Sequence, residues 1–317
     1  MSHFSILVVG NVDYNMAPFH EFECDGVDDE FVQTIDITEK ERKKYLEAIE
    51  ETKKNPDQKY GFKGKTFYEY LKDYCGYHFA ESPNQIDLEG EHKYGYFYAV
   101  GEDDFKVFDR TNPNKFYDYY GSGYNAFKLK KPIIRYNGDK EVEVSYVDHA
   151  KVKDIDFEGK WAEAEKAARE EHRKVVKALG YVPSLEHPWA ALVDQFAPEK
   201  GEPTITREKA DEIYRSQKAV QDFKKALEEK KLDAIELGFF CKVDDYCMSE
   251  DDYVKSQSIH SLSFGYVVNR EYHSRGDMGW WACVSNEKEA TTWDEEYLNF
   301  IKSLNPEDEL TMLDCHI

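Results

Sequence analysis

The sequence predicts an α+β fold: a mixed or antiparallel sheet whose first and last strands are adjacent, with long helices packed on it. Three observations carry this. The chain opens on "HFSILVVG" and closes on "ELTMLDCHI", both short apolar runs of strand type. Residues 92–147 alternate in the manner of hairpins, and residues 156–232 carry two long stretches of helical period. Strands at both ends around central helices imply one domain over 1–317 with insertions, the helical one at about 156–232.

Each element has a local reason. Gly10 closes the first strand, and a loop containing "HEFEC" follows. "DITEKERKKYLEAIEETKKNP" is a helix: Thr38 and Glu41 have capping-box spacing, Tyr45, Ala48 and Ile49 share a face, and Asn55-Pro56 ends it. Residues 60–90 are aromatic and irregular. "HKYGYFYAV" and "DFKVFDRTNPN" form a strand pair, and "KPIIRYNGDKEVEVSYV" a hairpin around Asn137-Gly138-Asp139. One helix runs from Asp156 to Gly180, a residue suited to a helix C-terminus. A second begins at Thr206, with Ala210, Ile213, Val220, Phe223 and Leu227 on one stripe. Between them lies a proline-rich connector with a short apolar helix. Strands "AIELGFF", "SLSFGYVVN" and "GDMGWWACV", a helix capped at Thr292 and the terminal strand complete the chain.

Composition narrows the classes. With 41% hydrophobic and 15% aromatic residues the chain builds a core. No apolar run approaches the roughly 20 residues of a membrane span, and the opening lacks the basic and cleavage features of an export signal. Six scattered cysteines suit reduced thiols. Sixty-four acidic residues against 42 basic ones give a charge of −22, which disfavours direct nucleic-acid contact and favours solubility or a partner with a basic surface.

The terminal segment is the main chemical candidate. In a strand, Thr311, Leu313, Cys315 and Ile317 share one face and Leu310, Met312, Asp314 and His316 the other. If the first strand runs antiparallel beside the last, His3 reaches His316, and His3, Asp314 and His316 make an acid–base or divalent-metal group. His20 and Glu23 of "HEFEC" are the candidates to complete a catalytic set with Asp314 and His316. The competing reading is that Asp314 and His316 simply pin a chain terminus. Arg110, Tyr120 and Trp281 are ligand-binding candidates: a cation in "DRTNPN", a tyrosine before the "GSG" loop, and one of two tryptophans on opposite strand faces. Surface pairing and core packing are the ordinary alternatives for them.

The opening "MSHFSILVVG", "APFHEFECDGVDDEFVQTIDIT", "EHKYGYFYAV", "DRTNPNKFYDYY", "DEIYRSQKAVQDF", "GDMGWWACVSNEKEATTW" and "LTMLDCHI", in that order, resemble a family of proteins without an assigned activity, found mainly in bacteriophages and prophages. The resemblance runs the whole length. Where the family has an aromatic-Asp-Trp-Tyr run and then Ile-Gly-Gly-Arg-Trp, this chain has "FYDYYGSGYN", keeping Asp118, Tyr120 and the glycines but neither the Arg nor the Trp. The resemblance implies a phage-encoded protein in the cytoplasm of a bacterial host. Two functions are expected: binding or inhibiting a host defence or takeover factor through a basic surface on that factor, or metal-assisted hydrolysis or nucleotide modification at a site built from "HEFEC" and "DCHI".

Overall fold

The structure is a computed structural model describing residues 3–21, 30–56, 61–82, 95–138, 140–198, 202–233, 237, 242–279 and 283–316. It is α+β, and the chain forms two compact units, each built from separated segments. The first comprises residues 1–124, 265–285 and 311–317, and the second residues 125–264 and 286–310. The expected helical insertion falls in the second unit, which begins earlier, at Asn125.

In the first unit the main sheet runs Glu271–Ser274, Gly265–Val268, His3–Val9, Glu309–His316, Tyr119–Gly121. The first and last strands are therefore neighbours, as the sequence predicts. His3–Val9 pairs in parallel with Gly265–Val268, and Glu309–His316 antiparallel with Tyr119–Gly121. Ile6, Leu7 and Val8 are fully buried, as a central strand covered on both faces requires. In the terminal strand Leu310 and Met312 are buried on one face and Leu313 and Cys315 on the other, so the sheet is covered on both faces there. A second sheet orders Gln33–Asp36, Phe105–Thr111, Gly95–Ala99 and His78–Phe79. Tyr45, Ala48 and Ile49 of helix Thr38–Lys54 pack on its aromatic core of Phe62, Phe67, Phe97 and Phe105.

Two capping expectations change. Thr38 and Glu41 form no capping box: Asp36 Oδ1 accepts from the Thr38 N–H at 3.0 Å, and Glu41, almost wholly buried, pairs with Lys44. The capping box sits instead at Thr66 and Glu69, in the stretch the sequence leaves irregular.

In the second unit helix Phe157–Leu179 matches expectation. Asp156 caps it by accepting from Gly159 N–H, and Gly180 ends it at φ +82°. The hairpin Phe127–Asn137/Lys140–Val147 turns through Gly138 at φ +62°. The helix expected from Thr206 is two helices, Arg207–Ser216 and Lys218–Glu228. Gln217 breaks it with an extended ψ of 138°, while its side chain bonds the His187 N–H and carbonyl. The helix expected to be capped at Thr292 starts earlier and spans Ala290–Ser303, with no side-chain cap. Of "AIELGFF" only Leu237 is described, in a turn; the rest of that segment and Trp280 lie outside the described residues. No helix among the described residues is long and apolar enough to cross a membrane.

Candidate metal centre

Strand alternation puts Asp314 and His316 on one face, two residues apart, and sheet order puts the start of the first strand beside them. His3 Nδ1 donates to Asp314 Oδ2 at 3.2 Å, and His316 Nε2 lies 3.5 Å from the same oxygen. The two imidazoles meet edge-on with centroids 3.8 Å apart. The opening of one strand thus faces the end of the other, the antiparallel sense the sequence argument needs. One ligand atom from each of His3, Asp314 and His316 lies within 4.8 Å of the other two.

The carboxylate is divided between partners. Oδ2 faces the imidazoles, while Oδ1 accepts from the Tyr124 hydroxyl at 3.0 Å. Tyr119 stacks on His316 at 4.0 Å between centroids and 18° between planes, so the ring is held from its face as well as its edge. Side-chain exposure falls from 55% for His3 through 27% for Asp314 to 10% for His316, which leaves the group approachable from the His3 side. Nδ1 of His316 is buried with no hydrogen-bond partner among the described residues.

Burial pushes the Asp314 carboxyl up, but the hydrogen bonds from His3 and Tyr124 and the nearby imidazoles outweigh it, and its pKa ends below the ordinary value. It is therefore anionic at neutral pH, the form a metal needs. The Tyr124 hydroxyl is raised by burial and then by its bond to Asp314, so it stays a donor.

Bond lengths of ~2.1 Å in a tetrahedral Zn²⁺ site imply ligand–ligand edges of ~3.4 Å. The two edges from Asp314 Oδ2, 3.2 and 3.5 Å, bracket that value. Two imidazoles and one carboxylate suit zinc or ferrous iron, and three protein ligands leave positions open for water or substrate.

The other sequence candidates that are described lie outside this group. His20 is outside the three-residue group: its backbone bridges to Tyr117, its carbonyl accepts from Asn112 Nδ2 at 2.9 Å, and its ring lies edge-on to Tyr117 at 5.3 Å. Arg110 sits opposite Thr34 in the second sheet. Tyr120 pairs with Cys315 and donates to Asp13 Oδ1 at 2.9 Å, its pKa pushed up to about 12 by burial and then by that carboxylate. Glu23 and Trp281 lie outside the described residues.

Sequence reading missed Tyr119 and Tyr124. The only signal was the tyrosine-rich run beside "GSG", whose pairing with the terminal strand nothing local announces. Compared with protein-family models, curated proteins and solved structures, the chain shows no match.

Proposed function

We propose that the chain binds one divalent transition metal through His3, Asp314 and His316 and acts as a metal-assisted hydrolase. In the setting implied by its resemblance, it works in the cytoplasm of a bacterial host as a phage-encoded protein. The carrying observation is the pair of edges, 3.2 and 3.5 Å, from one Asp314 oxygen to two imidazole nitrogens. A metal held there supplies a Lewis acid and an activated water. This chain's residues hold the carboxylate anionic, orient His316 against Tyr119, and leave the His3 side open to a reactant.

The test is metal titration of chelator-treated protein followed by calorimetry and elemental analysis. One equivalent of Zn²⁺ or Fe²⁺ per chain is expected, with affinity falling at least about tenfold in both His3→Ala and His316→Ala. His3 is exposed, so its variant isolates ligation from folding. Weak, substoichiometric uptake indifferent to both substitutions sinks the proposal. A second reading, attachment to a host protein with a basic surface, is supported by the charge of −22. Capture from host lysate that survives high salt unchanged would count against it.

A further inference from the structure

The second unit holds an open pocket of about 480 Å³, within the usual size range of small-molecule sites. Its walls come from Trp189 of helix Trp189–Phe196, Tyr214 and Arg215 of helix Arg207–Ser216, Lys224 of helix Lys218–Glu228, and Lys242. The two aromatic rings meet edge-on at 5.3 Å. One carboxylate ties the two elements together: Asp244 Oδ1 accepts from the backbone N–H of Trp189 at 2.7 Å, and Oδ2 accepts from the Tyr214 hydroxyl. The Lys242 N–H is tied to Asp245 at 2.9 Å, and Gln217 anchors the break between the two pocket helices. The site is therefore held in shape before any ligand arrives.

Its lining is rich in cations, in a protein of net charge −22. Arg215, Lys224 and Lys242 line the pocket with one carboxylate, Asp211, while Asp244 and Asp245 stand behind its wall, bonded to Trp189, Tyr214 and the Lys242 N–H. Asp211 already accepts from Arg215 Nε at 2.8 Å, which leaves the outer guanidinium nitrogens available. The Lys224–Glu228 pair, at 3.7 Å, is exposed on both sides and restrains Lys224 little.

We infer that this pocket binds a planar aromatic ring bearing a phosphate monoester, the ring against Trp189 and Tyr214 and the phosphate among Arg215, Lys224 and Lys242. A phosphomonoester carries about −1.5 to −2 charge at neutral pH and three strong acceptor oxygens, one for each of the three lining cations, whereas a carboxylate has two. Base–aromatic stacking supplies the remaining affinity and tolerates different ring systems.

The experiment is equilibrium titration of the full chain with AMP, adenosine and inorganic phosphate at low salt. AMP should half-saturate below about 1 mM, with adenosine and phosphate each at least about tenfold weaker. Lys242→Ala and Lys224→Ala should each weaken AMP several-fold without moving the melting temperature, while Lys43→Ala, in the other unit, should change nothing. AMP binding no tighter than adenosine refutes the phosphate role. Binding equal to that of phosphate alone refutes the aromatic wall. Failure to saturate in the millimolar range, or indifference to both pocket substitutions, refutes the site.

Discussion

His316 is where chemistry and burial meet. Its ring is almost wholly buried, flanked by Tyr119 and Asp314, with Nδ1 unanswered among the described residues. Around it, Tyr124 behaves as an outer partner that fixes the metal-facing carboxylate. Removing such a partner typically costs 10–100-fold in metal affinity. Tyr124→Phe should therefore weaken zinc binding about tenfold, while the melting temperature of metal-free protein stays close to the parent's. A calorimetric titration showing equal affinity would reduce Tyr124 to a bystander. The thiols separate in the same way. Burial pushes the Cys315 thiol far up, whereas Cys283 is exposed. Native protein treated with iodoacetamide should be alkylated at Cys283 and spared at Cys315, as peptide mass spectrometry would show. At this scale alternation put Asp314 and His316 on one face, and the metal-capable trio was legible on the one condition that the first and last strands be neighbours, as they are. Tyr119 and Tyr124 were not. They reach the site through a strand of three residues, too short to carry a period.

Among the elements, long amphipathic helices were easiest to read and their ends hardest. Helix Phe157–Leu179 starts and stops on residues whose capping chemistry is local, so sequence suffices. Helix Thr38–Lys54 shows the opposite case: the capping-box spacing at Thr38 is present, but Glu41 pairs three residues on with Lys44 of the same helix and the capping falls to Asp36. Likewise, the break at Gln217 follows from bonds to His187, thirty positions away. The Asp36 cap has a measurable signature. Thr38, through its hydroxyl and then its N–H, holds the Asp36 carboxyl down from 3.8 to about 2. A depressed folded pKa means its stabilisation is fully present above pH 3.8 and is lost as pH falls through about 2. Asp36→Ala should cost about 1 kcal/mol at pH 7 in urea unfolding. The gap between parent and variant should close near the bottom of that window. A gap of constant size from pH 7 to pH 2 would show that the carboxylate is not what caps the helix.

For the molecule as a whole, the sequence shows its class and its charge but not its division. Each unit is assembled from non-contiguous stretches, and composition changes little where the chain passes from one to the other. The charge has a consequence that separates two views of stability. Many ion pairs are exposed helical neighbours, such as Lys43–Glu47, Lys166–Glu170 and Lys224–Glu228. Pairs of this kind contribute little, and salt screens them. Self-repulsion from a net charge of −22 acts over longer distances and opposes the compact state. Screening should therefore remove more repulsion than attraction. Raising KCl from about 10 mM to about 300 mM shortens the screening length from about 30 Å to below 8 Å. The first urea transition of metal-free protein should move to higher denaturant across that range, urea being uncharged and leaving the screening to the salt. A shift to lower urea would mean that the ion pairs outweigh the net charge. Local pairing would then have to explain how so acidic a chain stays folded.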